Sequence, residues 1–197
     1  MTRRTCPTTH QARTGDGLPV GGPADEDRTF RRVWAVELDK AALIFARTRG
    51  HTPAIERAVA AYSRTGEHAA CWFALGLAGA LAASEIQRRR AWVRGLSVVA
   101  ASYGLNFGVK LAVRRRRPEL PGLPPLTPVV SRLSFPSAHA TTSFAAARAY
   151  ASLAPSWALY GAATVFPLSR PYLGVHYSTD GAAGALLGTA IARLWPR

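Results

Sequence analysis

The period of the apolar positions divides this chain into a polar beginning, an amphipathic stretch and a series of apolar blocks. From Thr29 to about Ser63 the spacing predicts helix. Val33, Trp34, Val36, Leu38, Leu43, Ile44 and Phe45 alternate with Arg31, Arg32, Glu37, Asp39 and Lys40 at helical intervals. Such a helix either lies on a membrane surface or packs its apolar face against the rest of the domain. Five apolar segments come next: Ala69 to Ser84, Leu96 to Val109, Ala140 to Leu153, Trp157 to Leu168 and Gly181 to Ala192. Each is shorter than the roughly 20 residues that cross a bilayer, and each can be lengthened by semi-polar residues at its ends. One such segment alone reads as a buried core helix. Five in succession, with arginine clusters or proline at the breaks, read as a polytopic helical bundle.

Gly76, Gly79, Gly181, Gly184 and Gly188 would let the helices of that bundle approach closely. Trp195, at the end of the last segment, suits an interface. Between Pro118 and Pro136, prolines at 121, 124, 125 and 128 exclude a regular helix and predict a loop. The stretch from residue 1 to 28, rich in Pro, Gly, Thr and charge, lacks the apolar core of a signal peptide and is expected to be a disordered tail. The expected organisation is therefore tail 1–28, amphipathic or interfacial helical segment 29–65, and membrane domain 66–197. The fold class is all-α, a polytopic membrane bundle of about five to six helices.

Charge adds a constraint on partners. Lys and Arg number 25 against 11 Asp and Glu, a net charge of +14. That balance suits a phosphorylated substrate, an anionic membrane or nucleic acid. After Glu85 the only acids are Glu119 and Asp180. The arginines flank apolar spans without interleaved aromatics, which disfavours a nucleic-acid module. Cys6 and Cys71 are too few for a disulfide framework, and neither has a CxxC partner for zinc.

Three blocks at segment ends carry the candidate chemistry: KLAVRRRRP from Lys110 to Pro118, PSAH from Pro136 to His139, and SRPYLGVHYSTD from Ser169 to Asp180. His176 and Asp180, four apart, share one helix face, where the carboxylate can accept the Nδ1 proton and leave Nε2 as a nucleophile. Alone, the pair reads more readily as a capping Asp beside an unrelated His. His139 comes after Pro136 and Ser137 at an expected helix start, where backbone N–H groups bind anions and a histidine can donate a proton. Lys110, Arg117 and Arg170 are cations suited to phosphoryl oxygens. Arg114, Arg115 and Arg116 read as a topology signal.

Together the blocks resemble the type 2 phosphatidic acid phosphatase (PAP2) superfamily. Its pattern is Lys, six residues, Arg-Pro; then Pro-Ser-Gly-His; then Ser-Arg, five residues, His, three residues, Asp. Ten of the eleven fixed positions agree, and the departure is Ala138, where the family has Gly. The resemblance runs from Lys110 to about the C-terminus and leaves residues 1 to 65 uncovered. It implies a membrane-embedded phosphatase, multi-pass in the cell membrane, that needs no cofactor and no metal and forms a phosphohistidine. His176 would attack, Asp180 orient it, and His139 protonate the leaving alcohol and then activate water. Lys110, Arg117, Ser137, the Ala138 N–H and Arg170 would hold the phosphate. The expected partner is a lipid phosphate and not nucleic acid. The short chain and its Ala- and Arg-rich composition resemble small actinobacterial members that act on polyprenyl-linked phosphates such as prenyl-phosphoryl-phosphoribose, and that resemblance makes this class the favoured substrate. The alternatives are a phosphotransferase of the same superfamily and a catalytically idle membrane protein that binds anionic lipid.

Overall fold

Every regular element among the described residues is a helix. A computed structural model describes residues 23–196, and among them seven α-helices run in order: α1 Pro23–Thr48, α2 Pro53–Thr65, α3 Ala70–Ala82, α4 Ile86–Val113, α5 Ala138–Tyr150, α6 Ser156–Tyr172 and α7 Ser178–Leu194. The five apolar segments become α3 to α7. The tail expected over 1–28 lies outside the described residues as far as residue 22, and from Pro23 it is already helix. Two compact units divide the chain between Val36 and Glu37, and the second, from Glu37 onward, holds all three motif blocks.

The amphipathic stretch expected as one helix is two, which accounts for the higher helix count. Gly50 takes a positive φ of 69°, and Pro53 cannot donate the next helical hydrogen bond. Thr52 restarts the helix as N-cap, its Oγ1 accepting from the Ile55 N–H at 3.3 Å. Beyond Val36, α1 packs on the bundle, and the face it buries is not an apolar stripe. It is Asp39, Leu43 and Arg47, at i, i+4 and i+8, while Leu38 and Phe45 face outward. Arg47 Nη2 donates to Pro124 O at 2.8 Å and Nη1 to Tyr172 O at 3.3 Å, joining the proline-rich loop to the turn after α6. The basic stretch Arg88 to Arg94, expected as a break between segments, forms the opening turns of α4; the break is Ala83 to Glu85.

α5 is the central helix, packed against α4, α6 and α7. Small residues make this possible. A Cβ on Gly188 would collide with Thr141 O, and one on Gly184 would stand 2.6 Å from Ser137 O, so α7 lies directly on the backbone of α5. Gly181 sits against Pro167, whose missing N–H already interrupts α6. At the other end of the bundle the core is aromatic. Trp92 and Tyr150 rings lie 5.0 Å apart, and Trp72 donates Nε1–H to Ser143 Oγ at 2.8 Å.

α4, 28 residues and so about 42 Å at 1.5 Å per residue, is long and apolar enough to cross a bilayer. It is the one such helix among the described residues; the other apolar helices have 13 to 17 residues. Large apolar side chains point outward on several of them, among them Leu81, Phe107, Trp157, Leu168 and Leu186.

Candidate active site

The three sequence blocks meet at one end of the bundle. The end of α4 brings Lys110, the loop after it Arg117, the start of α5 Ser137, Ala138 and His139, the end of α6 Arg170, and the α6–α7 turn His176. A cavity of about 150 Å3 is lined by Lys110, Arg117, Ala138, His139, Arg170 and His176, among others.

Helix ends set the local geometry. Gly174, at φ 75°, turns the chain out of α6, and α7 begins at Ser178. His176 is 2% exposed, and its Nδ1 lies 3.2 Å from Asp180 Oδ2. The same Oδ2 accepts the Tyr177 N–H at 3.0 Å. Capping and orienting, which the sequence left as alternatives, are thus done by one oxygen. Nε2 is left as the lone-pair nitrogen. Burial, then the charges of Arg117, Arg170 and Lys110, push the His176 pKa well below its usual 6.5, so the ring is neutral at physiological pH.

His139 is held differently. Its Nε2 donates to the Ser63 carbonyl at 3.0 Å, which leaves Nδ1 as the nitrogen without a partner among the described residues. Ser63 Oγ accepts from Arg170 Nη1 at 2.6 Å. The buried end of α2, outside the family motifs, therefore touches both residues.

The anion-binding capacity is partly uncommitted. Arg170 Nε and Ser137 Oγ are buried polar atoms with no protein partner among the described residues. The first intrahelical bond of α5 runs from the Thr141 N–H to Ser137 O, so the Ala138 and His139 N–H groups precede it. Ala138 is helical and not among the residues of positive φ, so alanine meets no backbone strain where the family has glycine. Arg117 gives Nε to Ser131 O at 2.6 Å and Nη1 to Val175 O at 2.7 Å, keeping Nη2. Lys110 is more committed than its sequence role implies. Its Nζ lies 3.3, 3.2 and 3.0 Å from the carbonyls of Leu133, Ser134 and Pro136, so it fastens the loop that carries Ser137 and lends the cavity its charge.

Besides Ser63, Arg115 and Asp39 escaped sequence reasoning. Arg115, read as a topology arginine, donates Nη1 to Asp180 Oδ1 at 3.0 Å and Nη2 to Asp39 Oδ2 at 2.8 Å, with its guanidinium 4.0 Å over the Tyr177 ring. Asp39, from α1, is 2% exposed at its side chain and also accepts from Thr179 N–H and Oγ1. In a run of four arginines nothing local distinguishes the second. The only signal for Asp39 was its spacing with Leu43 and Arg47 on one helix face.

This arrangement offers an oriented imidazole, a second histidine with a free nitrogen, and unfilled hydrogen-bond donors at the same end of the bundle. The PAP2 superfamily profile matches residues 91–197. The chain belongs to the PAP2 superfamily. It is 40% identical over 135 residues to a decaprenylphosphoryl-5-phosphoribose phosphatase of Mycolicibacterium smegmatis, covering 67% of this chain and 72% of that one. It is 37% identical over 142 residues to the Mycobacterium tuberculosis protein of the same name, covering 67% and 73%. The fold matches Aquifex aeolicus LpxE with a TM-score of 0.69 at 20% identity, over 80% of this chain and 93% of that one. It also matches a transmembrane PAP2 type phosphatidylglycerolphosphate phosphatase of Bacillus subtilis with a TM-score of 0.64 at 22% identity, over 81% and 83%. This PAP2 member is a lipid-phosphate phosphatase and a membrane protein.

Proposed function

We propose that this PAP2 enzyme removes the terminal phosphate of a polyprenyl-linked sugar phosphate, of the prenyl-phosphoryl-phosphoribose class, through a phosphohistidine on His176. The observation that carries the reading is a pair of buried atoms without a protein partner among the described residues, Arg170 Nε and Ser137 Oγ, beside the free Nη2 of Arg117 and the first amides of α5 at the end of the bundle that holds His176. Buried orphan donors are costly unless a ligand fills them, and a phosphoryl group offers the matching acceptors. The relatives of that printed name support the substrate class.

In this mechanism Asp180 fixes the His176 proton on Nδ1, and Nε2 attacks phosphorus. The phosphorus–oxygen bond to the alcohol breaks as the nitrogen–phosphorus bond forms. His139 enters this step as the imidazolium, stabilised by the bound phosphate dianion: its Nε2–H is held by the Ser63 carbonyl, and its Nδ1–H protonates the departing oxygen, leaving the ring neutral. The same nitrogen then takes a proton from water, which attacks the phosphohistidine and frees inorganic phosphate. Arg117, Arg170, Ser137 and the Ala138 N–H stabilise the equatorial oxygens, with Lys110 adding charge from the loop it anchors. These cations take the part that a metal ion plays in other phosphoryl transfers.

The bundle sits in the cell membrane as a multi-pass protein. α4 spans, and the shorter apolar helices present their outward Leu, Phe and Trp side chains to lipid. Rapid-quench labelling with a phosphate-labelled lipid substrate tests the chemistry. An acid-labile phosphoenzyme is expected in the wild type, persisting in excess EDTA and absent in His176→Ala. Label retained in His176→Ala would overturn the nucleophile assignment.

A further inference from the structure

The turn between α2 and α3 lines the same cavity and has no part in the chemistry above. Glu67, His68 and Ala69 form it, and His68 (φ 53°) and Ala69 (φ 59°) are consecutive non-glycine residues in the left-handed region. That conformation costs free energy at each residue and persists only where the surroundings hold it. Here the Ala69 N–H is tied to Gly66 O at 3.0 Å, and His68 Nδ1 lies 2.8 Å from the Tyr103 hydroxyl of α4. The turn also abuts the leaving-group histidine: a Cβ on Gly66 would stand 2.9 Å from His139 Cδ2.

Glu67 is the one carboxylate lining the cavity among the described residues, where Lys110, Arg117 and Arg170 supply positive charge. It makes no side-chain hydrogen bond or ion pair with any described residue. A carboxylate beside a bound phosphate is repulsive unless the ligand gives it donors. Vicinal hydroxyls are such donors, and a carboxylate can accept from two of them at once. Beside Asn106, Ser131 and Thr142, the lining also has an apolar part in Phe107, Pro128, Val129 and Val130, and Val130 is 86% exposed. The cavity therefore has a polar, hydroxyl-accepting rim and an apolar one.

From this geometry we infer that Glu67, with His68 and Tyr103, forms a hydroxyl-binding subsite that selects phosphates whose leaving group is a sugar, the apolar rim taking what continues beyond it. This rests on the assignment of His139 to the leaving group under the proposed function. Such a subsite would let one cation-rich cavity discriminate a sugar phosphate from a plain lipid phosphate. Glu67 acts on specificity, not on phosphorus.

The test compares ribose 5-phosphate with n-pentyl phosphate, which has the same carbon count and no hydroxyls, on the full chain in detergent. Wild type is expected to prefer ribose 5-phosphate. Glu67→Ala should lower the ratio of the two kcat/KM values by about tenfold or more, mainly through KM for the sugar, as for the loss of a charge-assisted hydrogen bond. Glu67→Gln, which keeps one acceptor oxygen, should fall between. If Glu67→Ala loses its melting transition, Glu67→Gln carries the same ratio test. A Glu67 that merely ion-pairs with Arg170 would depress both substrates together; a ratio within about twofold of wild type, or a wild type that prefers pentyl phosphate, overturns the inference. Selectivity for ribose 5-phosphate that depends on Glu67, without turnover of prenyl-phosphoryl-phosphoribose, would uphold the subsite and reject the polyprenyl assignment.

Discussion

Arg115→Met removes the cation shared by two buried carboxylates, Asp39 and Asp180. Its side chain is 28% exposed, while theirs are 2% and 0% exposed. Each pair gains roughly 4 kcal/mol of attraction at about 4 Å and an effective dielectric of about 20, much of it offset by desolvation. Breaking a fully buried pair costs about 3–5 kcal/mol; partial exposure of Arg115 screens it, so about 2–3 kcal/mol of stability is expected to be lost. The catalytic effect is separate. Asp180 keeps its bond from the Tyr177 N–H but loses the guanidinium that fixes Oδ1, and Asp39 then faces it as an uncompensated charge. A carboxylate that no longer holds His176 in one tautomer and direction should lower kcat by about 10- to 100-fold, equivalent to about 1.4–2.7 kcal/mol. KM should change little, because Arg115 does not line the cavity. Arg115→Lys, a point charge without the fork, should lie between. The assay is kcat and KM on one lipid phosphate, beside melting in the same detergent. Full kcat with lowered melting, or a loss confined to KM, would refute the positioning argument.

The same geometry sets other outcomes. His139→Ala should lose far more activity on an alkyl phosphate than on an aryl phosphate, whose leaving group needs no proton; equal losses would remove His139 from that role. Because His176 is held neutral, its folded pKa lies below the unfolded value near 6.5. Its stability contribution is fully present above about pH 6.5 and declines as pH falls toward the folded value, where the unfolded chain binds the extra proton. The acid limb of kcat/KM should therefore lie well below 6.5, and Arg117→Met, which removes the largest charge acting on His176, should move that limb upward in pH whatever it does to the rate. Gly188→Ala places a methyl against the α5 backbone and should cost about 3 kcal/mol or prevent folding; wild-type melting would show that α7 packs elsewhere.

The helical class, the five apolar helices, the proline-rich loop and the residues of the three motif blocks were legible without coordinates, because each is written in local spacing. Period decides helix, proline decides loop, and His176 with Asp180 is a one-turn relation. Less was legible where partners are distant. Arg115 differs from Arg114 and Arg116 only in what lies opposite, and that is Asp39, 76 residues earlier. Lys110 was legible as a cation, but not as the residue whose ammonium fastens three loop carbonyls. Ser63 and the Glu67 turn belong to no motif; Ser63 reaches His139 and Arg170, and the turn lines the cavity, only because α2 ends against α5 and α6. The tertiary structure also decided the face of α1. Helical spacing places its apolar residues, but a carboxylate and a guanidinium are buried only where an opposite charge or a set of carbonyls waits, and that complement is supplied by the rest of the fold.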